Sequence, residues 1–150
     1  MSNIKLNKIF KTVCIASDHA GFKLKEDIKN YLIDKSISIF DIGPFNEQSV
    51  DYPDYAKKLG NRIKLKKSDV GILVCGSGTG MAISANKIKT IRAAVCYNLK
   101  STRLSRQHNN ANIIALGSRL TKKKLSLKLV DIFLKTKFEG GRHLKRVKKI

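Results

Sequence analysis

Short apolar runs rich in β-branched residues alternate along this chain with stretches whose apolar residues recur at helical spacing. The runs Thr12 to Ala16, Ser38 to Asp41, Val70 to Val74, Arg92 to Cys96 and Ile113 to Leu116 read as strands. Between them, Lys23 to Asp34 sets Leu24, Ile28, Tyr31 and Leu32 on one helical face. Tyr55 to Leu65 does the same with Ala56, Leu59 and Ile63, and Leu125 to Leu134 with Leu125, Leu129, Ile132 and Phe133. Met81 to Lys87 and Ser101 to His108 read as shorter helices. Pro53, just after Tyr52, suits a first helical turn, where its missing N–H would have no partner anyway. Nothing signals a hairpin, an internal repeat or a linker. The alternation predicts a single α/β domain over residues 1–150. Its fold would be doubly wound and Rossmann-like, a five-stranded parallel sheet of order 2-1-3-4-5 with helices on both faces.

Such sheets bind ligands at the carboxyl ends of their strands, where the chain order reverses. For this strand order that crevice lies between Asp18-His19-Ala20-Gly21 and Cys75-Gly76-Ser77-Gly78-Thr79-Gly80. The second segment pairs a thiol with residues too small to keep a ligand from the backbone amides, which suits an anion or oxyanion. Met81 narrows its chemistry. A dinucleotide fingerprint would need a third glycine there, a cysteine phosphatase loop would need an arginine, and the Gly-Lys-Ser/Thr ending of a triphosphate loop is missing. What remains is a thiol beside oxyanion donors, the arrangement that proton abstraction next to a carbonyl requires. His108-Asn109, just before the last strand, is expected near the same carboxyl edge. Arg119 follows Gly117-Ser118, and Arg142 and Arg146, four residues apart after Gly140-Gly141, suit a phosphate clamp on one helical turn.

Composition limits the alternatives. Lys and Arg total 31 against 11 acids, a formal charge of +20. A nucleic-acid-binding module is the rival reading, but the lysines are spread over almost every helix and no aromatic-interleaved basic motif appears. The charge reads instead as a solvated surface that can steer a small anion. The apolar runs are too short to span a bilayer, and Val13 to Ala16, after the basic stretch Met1 to Lys11, is too short for a secretory core. A cytoplasmic protein with reduced thiols is expected. Cys14, Cys75 and Cys96 share no metal-ligand spacing and His19, His108 and His143 lie far apart, so no metal is expected. Cys14 reads as a buried small hydrophobe.

With these residues assembled, the chain closely resembles the type B ribose-5-phosphate isomerases, of the sugar-phosphate isomerase family that includes the galactose-6-phosphate isomerase subunits. The resemblance runs from Val13 to about Val147. It is carried by Ser17-Asp18-His19-Ala20-Gly21-Phe22, Asp51-Tyr52-Pro53-Asp54-Tyr55-Ala56, Cys75 to Gly80 with Ala85-Asn86-Lys87, Ser105-Arg106-Gln107-His108-Asn109, Leu116-Gly117-Ser118-Arg119 and Phe138-Glu139-Gly140-Gly141-Arg142-His143. It implies cofactor-free interconversion of ribose 5-phosphate and ribulose 5-phosphate, in the non-oxidative pentose phosphate pathway. A six-carbon sugar phosphate such as allose or galactose 6-phosphate is the alternative substrate on the same scaffold. Cys75 is similar to the family's proton-moving base, with Ser77 and the amides of Gly76, Gly78, Thr79 and Gly80 around the enediolate oxygen. His108 resembles the ring-opening acid, Asp18 and Asn109 the sugar-binding partners, and Tyr52 a wall of the pocket. His19, Arg119, Arg142 and Arg146 match phosphate-holding positions. Some members carry a glutamate where this chain has Met81, so the cysteine version is implied. The family forms dimers or dimers of dimers, with His108, Asn109 and Arg119 expected to reach into the partner's site. Thr79, Ala82 and Lys100 depart from the family's usual residues.

Overall fold

The computed structural model describes residues 9–150; the reading of Met1 to Lys8 lies outside them. The chain runs β1 (Val13–Ser17), α1 (Phe22–Asp34), β2 (Ile39–Gly43), α2 (Tyr52–Lys64), β3 (Val70–Cys75), α3 (Thr79–Ala85), β4 (Ala93–Val95), α4 (Leu99–Gln107), β5 (Ile113–Gly117), α5 (Lys123–Lys135) and α6 (Arg142–Val147). Every expected strand and helix is present, with ends shifted by a few residues.

All strand pairs are parallel, in the order β2-β1-β3-β5-β4. The expected order 2-1-3-4-5 therefore has its last two strands exchanged. The reason is physical. β5 is an uninterrupted apolar run, buried at every position, and such a strand needs neighbours on both edges and cover on both faces. β4 has three residues, all half-buried, and a short strand of that kind is tolerated at an edge. Its outer edge is closed by one side chain. Asn86 Nδ2 donates to the Ala93 carbonyl at 2.9 Å while its Oδ1 accepts from the Ala93 N–H at 2.7 Å.

The strands alternate their side chains between two cores. Val13 and Ile15 face Leu24, Ile28, Leu129 and Phe133 of α1 and α5, whereas Cys14 and Ala16 face Leu59, Ile63, Met81 and Ala85 of α2 and α3. Cys14 is fully buried, and burial pushes its thiol up to about 11, as a packing residue without nucleophilic use requires.

Two buried cations tie helices to neighbouring segments. Lys25 of α1 is wholly buried and bonds Asp41 at 2.7 Å and Glu26 at 2.8 Å. Burial alone would raise the Asp41 carboxyl, but Lys25, Lys29 and the Gly43 N–H together hold it below the usual range. Arg106 of α4 donates to the carbonyls of Thr136 and Ala111, fixing the end of α4 against the segment after α5. Replacing Lys25→Met is expected to cost about 3 kcal/mol in urea unfolding at pH 7, because it strips a buried carboxylate of its main partner. The folded pKa of Asp41 is depressed, so its stabilising contribution is present above its unfolded pKa and is lost as pH falls through the folded one. The gap between wild type and Lys25→Met should accordingly narrow on acidification; a gap that widens would refute the assignment.

Candidate active site

β3 ends at Cys75, in register with Gly117 at the end of β5, and Val74 pairs with Ser17 at the end of β1. Parallel pairing thus brings the segments after three strands to one edge. Asp18 opens the turn after β1; its N–H donates to the Val74 carbonyl at 3.1 Å and its Oδ1 accepts from the Gly21 N–H at 2.9 Å. His19 Nδ1 accepts the Val50 N–H at 3.2 Å. That bond occupies Nδ1 and leaves Nε2 to face a ligand as a donor.

The loop after β3 is held by close backbone contacts. Gly78 has φ +80°, and a Cβ there would lie 3.0 Å from the Leu116 carbonyl carbon, so glycine is required twice over. That turn aims the Gly78 N–H at Cys75 Sγ, 3.1 Å away. That contact fixes the sulfur at the start of the loop. The sulfur sits at the rim of the α2–α3 core, with Cys75 4% exposed. Ser77 Oγ accepts the Thr79 N–H at 3.3 Å, and the Ser77 carbonyl lies 3.5 Å from the Tyr97 hydroxyl that donates to it. Two longer side chains wall the loop. A Cβ on Gly76 would come within 3.0 Å of the Arg119 guanidinium, and one on Gly80 within 2.7 Å of the Tyr52 ring. Asp18, His19, Tyr52, Cys75, Gly76, Ser77, Gly78, Thr79, Gly80 and Arg119 therefore assemble within one chain. Arg119 corrects the expectation that it reaches into a partner's site: its side chain covers its own loop.

His108 and Asn109 lie elsewhere, not at the carboxyl edge as expected. A helix that links two parallel strands starts at their carboxyl ends and returns to their amino ends, so residues between α4 and β5 come out at the opposite edge. Five-residue strands separate those edges by about 17 Å. Asn109 is exposed there, beside a cavity of about 310 Å³ lined by Asn86, Ala94 and Ile150 among others. α6 joins the same edge. Its His143 ring stacks on His108 with centroids 4.2 Å apart and planes at 12°, which places the exposed Arg142 and Arg146 on that side. Glu139 Oε2 stands 3.5 Å from His143 Nε2 and 4.0 Å from His108 Nε2. Sequence spacing hid this cluster, since residues 108 and 143 are brought together by their stacked rings and by the Glu139 N–H bond to the Gln107 carbonyl. Its ligand atoms lie within 4.8 Å of one another, but stacked rings point their lone pairs nearly parallel rather than at one ion. Burial, with the charges of His108 and Arg142 nearby, holds His143 below the ordinary histidine range.

The family model described as Ribose/Galactose Isomerase matches residues 13–150. The chain belongs to that family. Ribose-5-phosphate isomerase B of Escherichia coli is 41% identical over 140 residues, 93% of this chain and 94% of the relative. The ribose 5-phosphate isomerase structure from Thermotoga maritima is 52% identical with a TM-score of 0.90, covering 92% of this chain and 95% of that one. Ribose-5-phosphate isomerase B of Mycoplasma genitalium, solved with bound ribulose-5-phosphate, is 42% identical with a TM-score of 0.87 and covers 92% of each chain. Family membership extends to the sheet, since those solved chains superpose across nearly the whole of this one.

Gly78→Ala should lower stability by about 1–3 kcal/mol in urea unfolding, the cost of holding a non-glycine residue at this φ against the Leu116 carbonyl. A loss under a few tenths of a kcal/mol would mean that the turn is not fixed as described.

Proposed function

We propose that this protein interconverts D-ribose 5-phosphate and D-ribulose 5-phosphate, as an aldose–ketose isomerase acting without a cofactor. The observation that carries the reading is the Cys75 thiol, directed by the Gly78 N–H and set among the loop's backbone donors. In the open-chain aldose, the Cys75 thiolate removes the proton from C2. The C–H electrons form the C1–C2 double bond, and the aldehyde oxygen takes up negative charge. The amides of Gly76 and Gly80, with the Ser77 hydroxyl, hold that enediolate, while those of Gly78 and Thr79 fix the sulfur and the Ser77 hydroxyl. Cys75 then returns the proton to C1 while the proton on O2 passes to O1, leaving the ketone at C2. His19 Nε2–H and Arg119 hold the phosphate from the same side, and Asp18 and Tyr52 fix the sugar.

The remaining groups come from a second copy. His108, Asn109, Arg142 and Arg146 stand at the amino edge, a strand length of about 17 Å from the edge that holds their own Cys75, so a homodimer that sets one copy's amino edge over the other's carboxyl edge completes each site. There His108 acts as the acid that opens the furanose ring, and the two arginines complete the phosphate clamp. Among the described residues no helix is long and apolar enough to cross a membrane. The surplus of positive charge gathers the dianionic substrate by steering rather than marking a nucleic-acid surface. The reaction is a step of the non-oxidative pentose phosphate pathway in the cytoplasm.

Cys75→Ala should abolish isomerisation, by at least about 10³-fold in kcat, with the thermal unfolding midpoint nearly unchanged. Near-normal turnover would remove the thiol from the chemistry. The same assay with allose and galactose 6-phosphates should show a far lower kcat/KM than with ribose 5-phosphate; a reversed order would assign a six-carbon substrate. His108→Asn should lose about 10²-fold in kcat on ribose 5-phosphate but little on 4-deoxyribose 5-phosphate, which cannot close a furanose ring. Equal losses on both substrates would exclude ring opening as the role of His108.

A further inference from the structure

His143 is 7% exposed although its neighbours on α6, Arg142, Leu144, Lys145 and Arg146, are all exposed. Its ring lies face to face with His108, at 4.2 Å and 12°. The segment that delivers it is anchored to α4. The Glu139 N–H donates to the Gln107 carbonyl at 3.1 Å, and Gly140 and Gly141, at φ +67° and +53°, then turn the chain back so that α6 returns over His108. Neither turn conformation is one a side-chain-bearing residue adopts easily. The Glu139 carboxylate stands across the Nε2 atoms of both rings, 3.5 Å from one and 4.0 Å from the other.

His108 itself is a helix-capping residue whose side chain is 36% exposed, and such an imidazole has several rotamers open to it. Ring opening needs one of them. The acid must give its proton to the ring oxygen O4 as the C1–O4 bond breaks and the C1 hydroxyl gives up its own proton, leaving an aldehyde and a free O4 hydroxyl. An acid rotated out of line loses most of its effect. Burial, with the charges of His108 and Arg142 nearby, lowers the His143 pKa and so favours its uncharged ring, which can lie against a charged neighbour.

We infer that His143 is a positioning residue for ring opening: its stacked ring fixes the plane in which His108 is presented to the sugar, and Glu139 closes the edge of the pair. This rests on the isomerase reading and deepens it. The test is steady-state kinetics of the full chain carrying His143→Ala, His143→Gln or His143→Phe, each checked for folding by near-UV circular dichroism and thermal unfolding. The substrates are ribose 5-phosphate and the ring-incapable 4-deoxyribose 5-phosphate. His143→Ala and His143→Gln remove the stacked ring and should lower kcat on ribose 5-phosphate about 30-fold while changing 4-deoxyribose 5-phosphate turnover by less than about threefold. His143→Phe keeps a flat ring without a hydrogen-bonding nitrogen and should recover turnover to within about fivefold of wild type. If it does not fold, the first two variants still decide through their contrast between substrates. A raised KM for both substrates with kcat retained would place His143 on the phosphate and overturn the inference. Unchanged kcat on ribose 5-phosphate in His143→Ala would overturn it as well. A wild-type protein that turns over neither substrate would bring down the isomerase reading first, and the inference with it.

Discussion

Parallel pairing is the constraint on which this molecule depends. Two parallel strands can be neighbours only if the chain is carried back across the full length of the sheet between them, and here helices make each return. Every segment that follows a strand therefore emerges at one edge, and every segment that follows a returning helix emerges at the other. Cys75, Asp18 and Arg119 follow strands and meet. His108 follows a helix and cannot join them in the same copy, whatever its side chain does. The proposed sharing of sites between two copies is thus a consequence of topology before it is a matter of surface chemistry.

Within that frame the site is made by close backbone approach. The loop after β3 is pressed between the ends of β1 and β5, with the Ser77 carbonyl against Gly117 and the Val74 carbonyl against Gly21. The result is a sulfur with an N–H aimed at it. The distant half of the chemistry uses other devices. Arg106 reaches two carbonyls and lies over Phe10 and Phe133, so the end of α4 is rigid where His108 begins. The buried Lys25–Asp41 pair has the same role for β2, fixing the strand that leads into the loop from which Val50 orients His19. Each of these charges is expensive to bury alone and is retained because its partners are complete.

Much of this was legible along the chain because the information was local. Alternation and helical spacing marked the five strands and the helices α1 to α5, Pro53 marked the start of α2, and the small residues from Gly76 to Gly80 marked the loop. The errors have a common origin. Exchanging β4 and β5 in the sheet, and setting His108 at the wrong edge, both came from reading adjacency in sequence as adjacency in space. Length and continuity of the apolar run, three residues in β4 against five buried ones in β5, were the signals that decided the order. Glu139 and His143 were visible only as part of a motif, since nothing in their spacing told that α6 would fold back onto α4.

The sequence by itself determined the elements, the thiol with its glycine loop and the family, because these depend on side-chain periodicity and on residues within a few positions of one another. Tertiary structure alone decided which strand lies beside which, that Arg119 covers its own loop, and that His108 pairs with His143 some 35 positions on. Those outcomes depend on how the buried area of whole strands and helices is shared out, a quantity that no local stretch of residues contains.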